Sequence, residues 1–186
     1  MKERVIRGTA NRILQALAKV LPTSSLRVAM QRARGVRIGN GVWIGTEVIL
    51  DTAYPWLVTI EDNVTINVRT TIVAHFRDIR GVKIERDAFI GAGALITPGV
   101  VIGHGAVVAS GGVVTRSVPP MIMVQGNPAI AVARCGIPLL LNTTLKEFTR
   151  NLKPLRLCLN ATEGQSNNAG VSRQPEADQK GSWTGS

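Results

Sequence analysis

His75 and His104 are the only two histidines in this 186-residue chain. Histidine is the side chain whose unperturbed charge changes near neutral pH, so these two residues are the first candidates for proton transfer. His75 sits in the segment Ala74-His75-Phe76-Arg77-Asp78-Ile79-Arg80-Gly81, which gathers a histidine, two arginines and an acid within eight residues. His104 lies in Ile102-Gly103-His104-Gly105, a regular glycine-flanked stretch, and reads as a solvated corner. Cys135 and Cys158 have no metal-ligand spacing and read as reduced thiols. No serine is paired with a second histidine, so no nucleophile–base pair is visible.

What must position His75 is a repeat. Ile38, Ile44 and Leu50 recur every six residues, as do Ile60, Ile66 and Ile72. Ile84, Ile90, Ile96, Ile102, Val108 and Val114 continue it without a break. A period of six fits neither the 3.6 of an α-helix nor simple strand alternation. It predicts an all-β parallel β-helix over 36–119, three hexads to a triangular coil, with coils stacked about 4.8 Å apart. The residue after each inward aliphatic is often Gly39, Gly45, Asp51, Glu61, Asn67, Glu85, Gly91 or Gly103, types that tolerate a tight corner of positive φ. Two interruptions mark where function belongs. Four extra residues around Ala53-Tyr54-Pro55-Trp56 separate Leu50 from Ile60, and the Ala74–Gly81 segment leaves the wall as a loop.

The rest is appendage. Residues 1–35 form a basic N-terminal cap whose helix spans 3–21, with Ile6, Ala10, Ile13, Leu14, Leu17 and Leu21 at helical spacing. Two roles suit it: covering the open end of the first coil, or resting on an anionic membrane surface. Of the net charge of +10, residues 1–37 hold +8 (nine basic side chains against Glu3). Residues 38–119 hold −1 and residues 120–186 hold +3. Basic residues are not interleaved with aromatics, which argues against nucleic acid as a partner. Pro119 and Pro120 stop strand pairing, Gly126-Asn127-Pro128-Ala129 signals a turn, and a C-terminal extension over 134–160 carries a helix at 143–153. Residues 161–186, rich in Gly, Ser, Asn and Gln, read as a disordered tail. No stretch is apolar enough to span a bilayer and no cleavage signal follows the basic N-terminus, so a cytoplasmic location is expected.

Taken together, the hexads, the Val114-Thr115-Arg116-Ser117-Val118-Pro119-Pro120 segment and Gly126-Asn127-Pro128-Ala129 resemble the hexapeptide-repeat acyltransferases over residues 36–133. The likeness is greatest to the branch of galactoside, maltose and xenobiotic acetyltransferases and exopolysaccharide O-acetyltransferases. The resemblance implies a left-handed β-helix, a homotrimer, and acetyl-CoA as co-substrate without a metal. It implies that His75 is the general base for a sugar hydroxyl. It implies that Ala92, Gly93, Ser110 and Gly111 lie along the pantetheine arm, that Thr115 and Arg116 meet the nucleotide phosphates, and that Pro128 packs near the adenine. On the acceptor side, Asp51 is placed to accept a bond from a sugar hydroxyl, with Tyr54 and Trp56 to stack on the ring. Gly45 replaces the acceptor-binding asparagine of the sugar-acetylating members, and Phe76 replaces the proline that follows their histidine, which points to a different acceptor.

Counting excludes other β-helix chemistries. A γ-type carbonic anhydrase needs three zinc-binding histidines. A uridylyltransferase needs a nucleotide-binding domain that 37 residues cannot supply. A non-catalytic β-helix or an acyltransferase for a small non-sugar acceptor remains as the alternative. Free thiol released from acetyl-CoA separates catalyst from scaffold.

Overall fold

The computed structural model describes residues 2–76 and 78–155; the tail expected at 161–186 and Cys158 lie outside them. Two helices come first, α1 (Lys2–Val20) and α2 (Ser24–Ala33), the second capped by Thr23, whose hydroxyl accepts from Leu26 N–H. Twelve short strands then wind through four coils. The first coil carries β1 (Arg37–Ile38), β2 (Trp43–Ile44) and β3 (Ile49–Leu50). The second carries β4 (Val58–Ile60), β5 (Thr65–Ile66) and β6 (Thr71–Ile72). An excursion of two antiparallel strands follows, β7 (His75–Phe76) and β8 (Asp78–Ile79). The third coil holds β9 (Val82–Ile84), β10 (Phe89–Ile90) and β11 (Leu95–Ile96). The fourth holds β12 (Val101–Ile102), β13 (Val107–Val108) and β14 (Val113–Val114).

Strands stack in parallel by face: β1-β4-β9-β12, β2-β5-β10-β13 and β3-β6-β11-β14. In register, Ile38 lies beside Ile60 and Ile60 beside Ile84, so each aliphatic column is continuous. This is a left-handed parallel β-helix. Its lumen is filled by Ile44, Leu50, Ile60, Ile66, Ile72, Ile84, Ile90, Ile96 and Ile102, all essentially inaccessible. Removing one such side chain typically costs about 2–5 kcal/mol.

The corners work differently from the expectation. Positive φ falls three residues past the inward aliphatic, where Glu47, Asn63, Arg69 and Asp87 adopt φ between 56 and 60°. The residue immediately after the aliphatic is glycine for another reason: a Cβ on Gly91 would lie 2.4 Å from Ser110 N, and one on Gly103 2.5 Å from Pro120 N. Coil-to-coil approach, not turn conformation, demands the missing side chain there.

Beyond β14, β15 (Ile122–Gly126) and β16 (Ala129–Cys135) form an antiparallel hairpin closed by a cis Asn127–Pro128 peptide. The domain boundary expected at 133 falls inside β16. The C-terminal helix is shorter than expected, α3 (Leu145–Arg150) after a Thr144 cap, because β17 (Leu152–Pro154) pairs with β16. Phe148 and Cys135 pack with Val107, Phe89 and Met123 on the outer side of the β2-β5-β10-β13 face.

Helices α1 and α2 close the first coil largely through polar side chains, with Ala18 buried and Val28 packed into the core cluster beside them. Arg27 Nε donates to Ile44 O (2.7 Å), Gln15 Nε2 to Val48 O (2.9 Å), and Arg34 to Leu50 O (3.1 Å) and Asp51 O (2.8 Å). These carbonyls have no preceding coil to bond them, and leaving them unpaired under a cap would cost their desolvation. Ile13 and Leu17, expected to pack downward, are 56% and 46% exposed.

Candidate active site

At the corner where β3 and β6 end, the chain makes both of its departures from the wall. After β3, Asp51 turns back on its own chain: its Oδ1 accepts from Ala53 N–H (3.0 Å) and Tyr54 N–H (2.9 Å). One coil on, its Oδ2 accepts from Ala74 N–H (2.8 Å) and meets His75 Nδ1 at 2.6 Å. The Asp51 side chain is 0% exposed and that of His75 is 36% exposed. Burial pushes the Asp51 carboxyl up, but the bonds from Tyr54, His75, Ala74 and Ala53 outweigh it and hold it below the ordinary carboxylate range. An ionised carboxylate only accepts, so Nδ1 carries the hydrogen, and in the neutral ring Nε2 is then the acceptor. The edge of Tyr54 packs on the His75 ring at 4.7 Å, and Trp56, half-exposed, packs edge-on against Tyr54 at 5.4 Å.

Asp51, expected to bond a sugar hydroxyl, does not stand open to an acceptor; both its oxygens are engaged inside the wall. It is the partner of His75. The backbone of Asp78 pairs with that of Phe76 in the excursion. Tyr54 lies against His75 and Trp56 against Tyr54, while Trp56, Phe76 and Ile79, the strand partner of His75, are all exposed. Arg34 is a further member of this corner, buried above it. Its guanidinium holds the main chain of Asp51, and nothing in a basic N-terminal segment marks one arginine as buried.

The remaining candidates divide between two corners. The excursion is rooted on its own column: Gly81 N–H donates to Ala74 O, Gly99 N–H to Gly81 O, and Thr97 N–H to Val114 O, which places Thr115 and Arg116 at the foot of the same corner. Both are exposed. Ala92, Gly93, Ser110 and Gly111 occupy the next corner back, joined by Gly111 N–H to Ala92 O at 2.8 Å. A Cβ at Gly93 or Gly111 would meet nothing within 4 Å, so backbone is bare to solvent on two successive coils. The hairpin turn bearing exposed Pro128 reaches this corner, with Gly126 O 3.9 Å from the Cβ position of Gly112. His104 stands at the third corner, its Nδ1 near Asp87 Oδ2 (3.4 Å) and Arg86 O (3.2 Å). A shallow groove of about 340 Å3 lined by Arg37, Glu61, Asp62 and Arg86 runs along that corner, away from His75. Among the described residues no group of His, Cys, Asp and Glu could hold a metal ion.

Residues 81–116 match the family described as the hexapeptide repeat of succinyl-transferase. A hexapeptide-repeat-containing acetyltransferase of Vibrio cholerae is 27% identical, over 71% of this chain and 92% of its own, with a TM-score of 0.58. The same Vibrio protein is known in complex with acetyl coenzyme A. A maltose O-acetyltransferase from Clostridium difficile shares the fold at 24% identity, over 72% of this chain and 89% of its own, with a TM-score of 0.52. A serine acetyltransferase from Brucella abortus is 28% identical over 60% of this chain and 46% of its own, with a TM-score of 0.50. No curated protein matches the chain significantly. The Vibrio and Clostridium proteins share with the chain a coil built on a six-residue repeat. The chain is similar to hexapeptide-repeat acetyltransferases over 71% of its length, and the repeat itself is matched at residues 81–116.

Proposed function

We propose that the protein is an acetyl-CoA-dependent O-acetyltransferase acting on a sugar hydroxyl, in the building of an exopolysaccharide, lipopolysaccharide or other glycoconjugate. The observation that carries this reading is the Asp51–His75 pair, which fixes one tautomer of a half-exposed imidazole at the mouth of an aromatic-lined corner. His75 Nε2 takes the acceptor's hydroxyl proton as that oxygen attacks the acyl carbonyl, and returns it to the departing thiolate. Acetyl ester and free coenzyme A are the products, and no acyl-enzyme is needed. Acetyl-CoA supplies the activated acyl group. The bare backbone at Gly93 and Gly111 gives its pantetheine arm room to approach, with Ala92 and Ser110 beside it. Thr115 and Arg116 suit the phosphates, a guanidinium pairing with phosphate oxygens bidentately, and Pro128 suits the adenine. Tyr54 and Trp56 offer stacking faces to the sugar.

Because the glycine corner and the His75 corner lie on different edges of one prism, the reading includes a homotrimer in which one subunit's corner faces its neighbour's. A peripheral place at the inner membrane face, with the basic cap toward anionic lipid, suits a lipid-linked acceptor. The direct test is thiol release from acetyl-CoA with sugar acceptors. His75→Ala should lose about 10²–10⁴-fold in kcat while keeping its assembly and its affinity for coenzyme A. His104→Ala should stay within a few-fold of the parent. Near-normal turnover by His75→Ala would remove His75 from the role.

A further inference from the structure

We infer that Arg34 is a positioning residue for the Asp51–His75 pair, which makes the N-terminal helices a working part of the site. The inference rests on the reading of His75 as the base. Arg34 is 6% exposed and lies at the C-terminal end of α2. Its Nη2 donates to Asp51 O (2.8 Å) and Nη1 to Leu50 O (3.1 Å). Its Nε donates to Asn11 Oδ1 (2.6 Å), and Nη1 also reaches Gln15 Oε1 and Gln31 Oε1. Asn11 in turn donates Nδ2–H to Thr52 O (2.6 Å). Three consecutive carbonyls, those of residues 50, 51 and 52, are thus held from above by one interlocked group of α1 and α2 side chains.

The reason lies in where Asp51 sits. It is in the first coil, so no preceding strand fixes its carbonyl, while its carboxylate must reach one coil further to meet His75. A carboxylate that is to hold an imidazole at 2.6 Å needs its own backbone fixed to within a few tenths of an ångström. Arg34 supplies that anchor and adds a buried positive charge next to the carboxylate. Burial brings the guanidinium down to about 10, and the negative charge on Asp51 works in the opposite direction. Asp51 is the acid that meets this cation electrostatically, and the Arg34 hydrogen bonds described here end on carbonyl and amide oxygens. Arg27 caps the same coil at Ile44 O, one corner before Asp51, and also holds Leu21 O between the two helices, and it serves as a built-in control for a purely structural arginine.

With only two histidines in the chain, nitrogen-15 labelling of histidine reads the pair directly. In the full-length parent, His75 should give one Nδ1–H tautomer with a downfield proton, assigned by its loss in His75→Ala, while His104 serves as an unaffected reference. Arg34→Met should retain β-sheet circular dichroism and assembly. It should mix the His75 tautomers and lower kcat about 10- to 100-fold with KM for acetyl-CoA within twofold. Arg34→Lys should recover part of both, and Arg27→Met should change neither the His75 signals nor kcat. Should Arg34→Met fail to fold, Asn11→Ala, which frees only part of the group, should show the same tautomer mixing in weaker form. Parent-like His75 signals in Arg34→Met, or in Asn11→Ala where that variant is needed, overturn the inference, as does an equal effect from Arg27→Met. An active His75→Ala would instead overturn the base assignment, leaving the tautomer measurement to judge Arg34 separately.

Discussion

Asp51 accepts four hydrogen bonds with one carboxylate, and that is what commits it to His75. An asparagine there would keep the oxygen facing Ala53 and Tyr54 but turn a donor toward Ala74 N–H and His75 Nδ1–H. The imidazole would then favour the other tautomer, with Nε2 protonated and unable to accept. Asp51→Asn should therefore lower kcat nearly as far as His75→Ala does, with little change in KM. The same residue sets an acid response. Its folded-state value lies below the unfolded one, so its stabilisation is complete above the ordinary carboxylate value and is lost as pH falls through the lowered folded value. Denaturant titrations should show a constant stability gap between parent and Asp51→Asn above about pH 5, shrinking toward acid. A gap that does not change with pH would show that Asp51 is not ionised in the fold. His75 was legible in the sequence because it breaks a six-residue rhythm. The role of Asp51 was not: an acid after an inward Leu50 looks like any corner, and its pairing with Ala74 depends on how the four-residue insertion after it folds back.

Among the elements, the strands were legible and the cap was only half so. Twelve coil strands follow from the hexads because an inward β-branched or aliphatic residue every sixth position has one solution, a lumen. Helix α1 is legible by its period, yet it docks on a face turned away from the centre of its apolar stripe, with Leu14 at the margin. Its inner side carries Gln15 and Ala18, because the first coil presents carbonyl oxygens there. Of that stripe Ile13 and Leu17 are left outward, joined by Val20, 75% exposed, beside exposed Arg12 and within a segment of net charge +8. Apolar outward surface among cations fits the headgroup region of an anionic bilayer. Among the described residues no helix is long and apolar enough to cross one. The full chain should sediment with acidic vesicles at low salt and be released as salt rises. A triple Ile13→Ser, Leu17→Ser, Val20→Ser variant should stay in the supernatant with unchanged acetyl transfer to a soluble acceptor. If the variant instead loses its assembly, the stripe is covered by a second copy; if the parent never sediments, no lipid role stands.

At the scale of the whole molecule, the division of the site between two corners makes the strongest demand. One prism holds His75, Thr115 and Arg116 on one edge and the bare Gly93 and Gly111 backbone on another, with a wall of packed aliphatics between them. The outer side of the β2-β5-β10-β13 face is occupied by the chain's own C-terminal segment, and the β1-β4-β9-β12 face turns Arg37 and Lys83 outward. The β3-β6-β11-β14 face, lying between the two corners, presents half-buried Ile49, Thr71, Leu95 and Val113 as a flat ladder suited to a neighbour. Light scattering should give three times the chain mass. Sharing of the site can be tested by mixing two inactive subunits, His75→Ala and Ser110→Trp, the second filling the bare corner with an indole. After unfolding and joint refolding, an interface combining an intact His75 from one subunit with an intact corner from the next should form about a quarter of the time under random threefold assembly. Activity returning to about that fraction of the parent requires a site built across subunits. If the mixture stays inactive while mixed trimers are present, each subunit carries its own complete site and the shared groove is wrong.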